Sequence, residues 1–301
     1  MPGFYYRPMS RQRFLATAAK TTALLGLASL NRTAWGQVDD KERRQVRLAL
    51  LSDTHIPADT TNSYRGFRPV ENLRQVLPQV IAAEPDAVML NGDAARLTGE
   101  LADYSLLRQM LTPLAERAPI HIGLGNHDHR ENFFQIFPRG SSAGPVSQKH
   151  VTIWEASGLR FLVLDSLLYV DQVAGLLGQA QRAWLAEFLT QADQKPTVLF
   201  VHHTLGDGDG DLLDADRFFD IILPHRQVKA VLYGHSHVYS YTQREHMHLI
   251  NLPAVGYNFG DDQPVGWVSG TFDAAGAALT LHAIGGNRSQ DGMTTNIRWL
   301  N

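Results

Sequence analysis

Short apolar runs that each stop at a polar motif alternate along this chain with longer stretches of helical periodicity. Residues 46–51, 87–90, 120–124, 198–201 and 228–233 are apolar and often β-branched, as strands buried on both faces require. Between them, 69–83 places Val70, Leu73, Val76, Leu77, Val80 and Ile81 three and four residues apart, which gives a helix one apolar face. Segments 101–116, 179–191 and 212–223 read as helices too. Buried strands alternating with amphipathic helices predict an α/β fold, in which the carboxyl ends of neighbouring strands converge on one crevice. Further on, 238–242, 246–252, 267–272 and 278–284 read as strands joined by Gly- and Asp-rich turns, and they predict a second sheet.

The chemistry lies in the polar motifs at the ends of the five apolar runs. They are Asp53-Thr54-His55, Gly92-Asp93, Gly125-Asn126-His127-Asp128, His202-His203 and Gly234-His235-Ser236-His237. Imidazole nitrogen and carboxylate oxygen suit divalent Mn, Fe and Zn, and the absence of cysteine excludes thiolate zinc fingers and iron–sulfur clusters. Two such ions, roughly 3.5–4 Å apart in a two-metal hydrolase, are best held by a carboxylate touching both. An Asp behind a Gly suits that place, because Gly92 removes side-chain bulk beside the ions. Any one motif arises easily by chance; five in order, each behind a buried strand, do not.

The chain closely resembles the calcineurin-like metallophosphoesterase superfamily, whose blocks run D-x-H, G-D-x-x-R, G-N-H-[DE], H and G-H-x-H. Asp53-Thr54-His55, Gly92-Asp93-Ala94-Ala95-Arg96, Gly125-Asn126-His127-Asp128, His202 and Gly234-His235-Ser236-His237 match every block, across residues 46–272. The resemblance implies a two-sheet α/β/β/α sandwich and hydrolysis of phosphoesters by two divalent metal ions. By position, Asp53, His55 and His237 would bind one ion, Asn126, His202 and His235 the other, and Asp93 would bridge them. His127 would face the scissile phosphate as transition-state stabiliser or leaving-group acid, with Asp128 orienting its ring. His203 stays behind the ligands. Purple acid phosphatases carry a ligating Tyr three residues after the bridging Asp; Arg96 stands there, so no purple chromophore is expected. The short chain and Gly125-Asn126-His127-Asp128-His129-Arg130 look more like small bacterial phosphodiesterases, including the class III cyclic-nucleotide and glycerophosphodiester enzymes, an analogy that does not fix a substrate.

Other candidates rank lower. His150, His225, His246, His248 and His282 read as structural residues on strand or helix surfaces, and His121 as core or support for the site. His129 and Arg130 follow the third block and are candidates for the mouth of the site. Asp207-Gly208-Asp209-Gly210-Asp211 imitates a calcium loop, but Leu212 and Phe218 stand where an EF-hand needs Gly and Glu. An acidic loop at the pocket rim is the better reading, and segments 56–68 and 206–214 are expected to choose the substrate.

The N-terminus predicts a compartment. Arg7, Arg11 and Arg13 precede a mildly apolar run over 14–30, and Ala34-Trp35-Gly36 offers small residues for cleavage, the outline of a signal peptide over residues 1–36. Ser10-Arg11-Gln12-Arg13-Phe14-Leu15 looks like the twin-arginine consensus with Gln for the second Arg, leaving the Tat and Sec routes both open. Export to the periplasm is therefore expected, with maturation near Gln37; an uncleaved membrane anchor is the alternative, for which Lys20 makes the run a poor span. The remaining 37–301 segment, 44% hydrophobic in the chain as a whole, suffices for one metallophosphoesterase domain. A net charge of −3 gives no electrostatic reason to expect nucleic acid as partner. The expected partner is a small phosphoester. A nucleotide pyrophosphatase or nuclease, or a non-catalytic metal-binding protein, is the alternative; the latter would be expected to have lost a ligand or His127, and none is lost.

Overall fold

The first apolar run forms β1 (Val46–Leu51), and nearly every side chain in it is buried, because it lies in the middle of a sheet with layers on both sides. β2 (Ala87–Asn91) and β3 (Ile120–Gly123) follow in parallel, Leu50 pairing with Met89 and Leu90 with Ile122. The helices α1 (Pro69–Ala82) and α2 (Leu101–Ala115) make the connections. Pro69 opens α1 where its missing N–H costs nothing, and Glu100 and Asp103 form a reciprocal capping box at the start of α2. The computed structural model of the chain describes residues 45–138 and 144–300; the expected signal peptide lies outside them.

A short helix α3 (Arg130–Ile136) and a β4 (Thr152–Ala156) to β5 (Leu159–Val163) hairpin lead into the second sheet. There β5, β6 (Thr197–Phe200) and β7 (Val228–Tyr233) run parallel, linked by α4 (Gln179–Gln191) and α5 (Ala215–Ile222). β8 (Ser240–Arg244) and β9 (Met247–Asn251) complete it in the order β4-β5-β6-β7-β9-β8. β10 (Pro264–Phe272), β11 (Gly276–Gly286) and β12 (Thr294–Arg298) then return to the first sheet, which reads β12-β11-β10-β1-β2-β3. The expectation that 267–272 and 278–284 would enlarge the second sheet is thus corrected: β10 pairs antiparallel with β1, Val46 opposite Phe272. Partner choice decides this, and periodicity carries no information about it.

Three apolar clusters define four layers. Leu48, Leu50, Met89, Phe161, Phe200, Leu232 and Val268 meet between the sheets. The first helical layer packs Val70, Val76, Tyr104 and Leu107 on one outer face, and Leu185, Leu189, Phe218 and Ile222 cover the other. This is the α/β/β/α sandwich, and it puts the carboxyl ends of β1, β2, β3, β6 and β7 at one edge of the inter-sheet seam. Among the described residues no helix is long and apolar enough to cross a membrane.

Candidate metal centre

Each motif leaves its strand at that edge, and the loops are stitched across the seam. His202 donates through Nδ1 to Asn91 O (2.8 Å), Asn91 Nδ2 donates to Val201 O (3.1 Å), and His235 N donates to Asp53 Oδ1 (3.2 Å). Five of the seven candidate ligands hold left-handed backbone: Asp53 (φ 53°), His55 (46°), Asp93 (46°), His235 (71°) and His237 (55°). Such conformations cost non-glycine residues of order 1–3 kcal/mol each and persist where the surroundings over-determine them, commonly at functional sites. The motif glycines permit the crowding. A Cβ on Gly92, itself at φ 87°, would lie 2.5 Å from His202 Nδ1, and one on Gly234 would lie 2.5 Å from Asp53 Oδ2.

Among the described residues three sets of donor atoms converge, each with its atoms within 4.8 Å of one another: Asp53, His55 and His237; Asp93, His202 and His235; and, where His127 reaches the cage, His55, Asp93 and His127. The first two match the expected ligand sets. Asn126 joins the second, its Oδ1 lying 3.0 Å from His235 Nδ1. Asp93 Oδ2 stands between the sets, 3.7 Å from His55 Nε2 and 3.3 Å from His202 Nε2. Hydrogen bonding fixes which nitrogens face inward. His237 uses Nδ1 to donate to Tyr257 O (2.6 Å), His202 uses Nδ1 on Asn91 O, and His235 uses Nε2 on Gly210 O (3.1 Å). The other nitrogen of each ring then faces inward, onto oxygen or another imidazole: buried His202 Nε2 faces Asp93 Oδ2 at 3.3 Å, and His237 Nε2 lies 3.1 Å from His55 Nε2. Lone pairs and carboxylates packed face to face repel unless cations lie among them, so this donor set fits two divalent ions with N and O ligands.

The electrostatics agree. Burial works against charge on His202, yet the carboxylates of Asp93 and Asp53 override it and push its pKa up to about 10. Burial likewise opposes ionisation of Asp53 and Asp93, and the neighbouring His202 outweighs it, holding both below the ordinary carboxylate range. His55 goes the other way, down to about 3, chiefly through burial, so it offers a neutral ring. Without metal a proton on His202 is what balances the carboxylates, and a cation takes over that task.

His127 sits at the rim of this cage, its ring 5.3 Å from that of His55. Its Nδ1 donates to Leu97 O (2.9 Å), which leaves Nε2 as the free nitrogen. Asp128 does not orient this ring, contrary to the expectation. The Asp128 carboxylate turns back into its own loop and accepts from Gly125 N (2.9 Å), Ala94 N, Ala95 N and the Tyr104 hydroxyl (2.9 Å). Burial and Asp93 raise its pKa to about 6. The carboxylate that reaches His127 belongs to Asp171, 3.3 Å from Nδ1, whose own N–H donates to Asn126 O (2.7 Å). Nothing in the sequence around Asp171 marks it.

The remaining candidates divide. His203 binds Ser166 Oγ through Nδ1 (2.7 Å), packs its ring 4.7 Å from that of His235 and joins none of the donor sets. His121 is core, stacked on Trp154 at 3.9 Å. His150, His246 and His248 are buried rather than on surfaces; His150 Nε2 donates to Ile122 O and His248 Nε2 to Arg298 O. His129 and Arg130 line a separate 660 Å³ cavity with Phe134 and Leu167, since Arg130 is drawn to the buried Asp165 (2.7 Å). Arg96 lies over the Tyr64 ring at 5.8 Å. The acidic loop does reach the rim: Gly210 and Asp211 line the 330 Å³ cavity over the ligands, with Val173, Thr204 and Phe259.

This fold and this cage define a dinuclear metallophosphoesterase. The calcineurin-like phosphoesterase model matches residues 46–239, and the chain belongs to that family, whose members are metal-dependent phosphoric ester hydrolases. It is 29% identical over 232 residues to a probable cyclic nucleotide phosphodiesterase of Synechococcus, covering 74% of this chain and 86% of that one. It is also 29% identical to the glycerophosphodiester phosphodiesterase GpdQ of Enterobacter lignolyticus (72% and 81% covered). A dimetal phosphatase from Danio rerio shares the fold at TM-score 0.66 and 14% identity, covering 85% of this chain and 99% of that one.

Proposed function

We propose that the protein hydrolyses small phosphodiesters in an exported compartment, using two ions drawn from Mn, Fe and Zn. The observation that carries the diester reading is the cavity lining. His55, Asp93, Asn126, His127, Val173, Asp211, His235, His237 and Phe259 contribute to it, and among the described residues no Lys or Arg does. A dianionic monoester would meet Asp211 with no basic side chain in the lining to offset it, whereas a diester brings one charge, which bound cations neutralise. Relatives named for cyclic nucleotide and glycerophosphodiester substrates support the same class. Export rests on the Arg-containing leader and the Ala34-Trp35-Gly36 site alone.

Asp53, His55 and His237 would hold one ion, Asn126, His202 and His235 the other, and Asp93 both. Such ions supply a nucleophile at neutral pH by lowering the pKa of water and offset charge on the phosphoryl oxygens. The protein's own task is at the departing group. His127, with Nδ1–H fixed on Leu97 O, presents Nε2, and when protonated it gives that proton to the leaving oxygen as the P–O bond breaks. Asp171 stabilises the imidazolium from the Nδ1 side. No Ser or Cys attacks phosphorus, so no phosphoenzyme forms.

The test is a panel of bis-p-nitrophenyl phosphate, p-nitrophenyl phosphate, cyclic AMP, a glycerophosphodiester and a short oligonucleotide, with and without Mn²⁺. Diesters should lead by at least about tenfold in kcat/KM. Preference for the monoester would refute the diester reading, and preference for the oligonucleotide would favour a nuclease. N-terminal sequencing of the exported protein should begin near Gln37.

A further inference from the structure

The loop between β9 and β10 carries a phenyl ring, Phe259, that the ligand geometry does not use. Its backbone is tied down from several sides. Val255 N donates to Ser52 O and Gly256 N to Asp53 O, while Asn72 Nδ2 reaches Val255 O (3.1 Å) and Gly256 O (2.8 Å). Val255 and Asn258 are buried, yet Phe259 beside them is 49% exposed. One face of its ring stacks on His237, centroids 4.4 Å apart at 22°, and Tyr257 meets it edge-on at 5.7 Å. Phe259 lines the 330 Å³ cavity, and so does Val173, 60% exposed, from the loop that carries Asp171. A half-exposed phenyl ring forgoes the stabilisation that burying it would give, and one held on a fixed loop is a preorganised surface for a ligand.

We propose that Phe259 is a stacking platform for a planar aromatic substituent on the ester oxygen that does not leave. This rests on the diester reading above. His127 packs on the His55 ring at 5.3 Å and Phe259 on the His237 ring at 4.4 Å, so the two approach the cage through different ligands. The group against Phe259 is accordingly assigned to the ester oxygen that stays, and the one at His127 to the oxygen that leaves. With no Lys or Arg among the described residues of the lining and Asp211 at the rim, recognition there comes from ring stacking and apolar contact with Val173, which favours an uncharged planar group over an anionic one.

The test holds the leaving group constant. Phenyl p-nitrophenyl phosphate and methyl p-nitrophenyl phosphate are compared on Mn²⁺-loaded wild type, Phe259→Ala and Phe259→Trp. Because the esters differ in intrinsic reactivity, the phenyl-to-methyl ratio of kcat/KM is compared between proteins. Phe259→Ala should lower it about three- to tenfold, mainly through KM, and Phe259→Trp should retain it. An equal loss on both esters would mean that the ring only buttresses His237, and would overturn the proposal, as would an unchanged ratio. Calorimetric binding of phenylphosphonate and methylphosphonate, which cannot be hydrolysed, gives a second reading. Phenyl preference that disappears in Phe259→Ala while neither ester turns over would sink the diester function and leave the subsite standing; no phenyl preference would sink the subsite.

Discussion

Asp171 Oδ1 stands 3.3 Å from Nδ1 of His127, and the N–H of the same Asp171 donates to the carbonyl of Asn126. One residue of an otherwise unmarked loop thus touches both the candidate acid and a candidate ligand's backbone. Asp128, the sequence neighbour of His127, faces away.

That arrangement separates the roles of three side chains. His127→Ala should keep the fold and near-normal metal content while kcat falls about 10²–10⁴-fold, with a smaller loss on esters whose leaving group needs no proton. Asp171→Asn keeps the backbone bond to Asn126 and removes only the charge, so its loss should be smaller, about tenfold, and should follow the same leaving-group trend. In the double variant the two losses should not add, because Asp171 acts through His127. Rates over a series of leaving-group pKa values check this; additive losses would contradict it.

Gly92→Ala tests the crowding at the seam. The new methyl would face His202 Nδ1 at 2.5 Å from a left-handed backbone at φ 87°. The variant should bind less metal, and kcat/KM should drop at least about tenfold, a change of about 1.4 kcal/mol. Metal analysis beside circular dichroism distinguishes a displaced His202 from a failure to fold, and full metal occupancy would count against the packing described.

Local signals made part of the fold legible in the sequence, and non-local ones hid the rest. β1, β7 and α4 occupy the predicted residues, because apolar runs and 3.6-residue spacing are properties of a short stretch of chain. α5 starts at Ala215 instead of 212, since Leu212 N and Leu213 N bond to Thr204 O and Gly175 O in the rim loop, against the apolar pattern. β5 is hidden because Arg160 interrupts its apolar run, and that guanidinium is buried only by pairing with Glu155 and Asp193. The motifs mark every candidate ligand, whereas nothing marks Asp171 or Phe259. Their positions depend on where separate loops meet, which no spacing along the chain encodes.

His121 predicts a pH effect on stability. Burial, helped by His150, lowers its pKa to about 3, while it stacks on Trp154 with ring planes 7° apart. Its ordinary value is 6.5, so between these limits the unfolded chain binds a proton that the folded one refuses. Stability therefore declines as pH falls from 6.5 towards 3, by up to about 1.4 kcal/mol per pH unit from this group. Replacing the ring with an aromatic one that cannot titrate, His121→Phe, should flatten the fall of Tm over that range. Identical slopes for wild type and variant would contradict the assignment; metal release at low pH affects both alike and drops out of the difference.

Metal stoichiometry set against activity decides whether Asp93 bridges two ions. Exhaustively chelated protein should be inactive on bis-p-nitrophenyl phosphate, and titration with Mn²⁺ should restore activity with a break at two equivalents per chain. In Asp93→Asn occupancy should fall further than in His55→Ala, because the bridging carboxylate serves both ions. Full activity in demetallated protein, or saturation at a single equivalent, would rule out the dinuclear site.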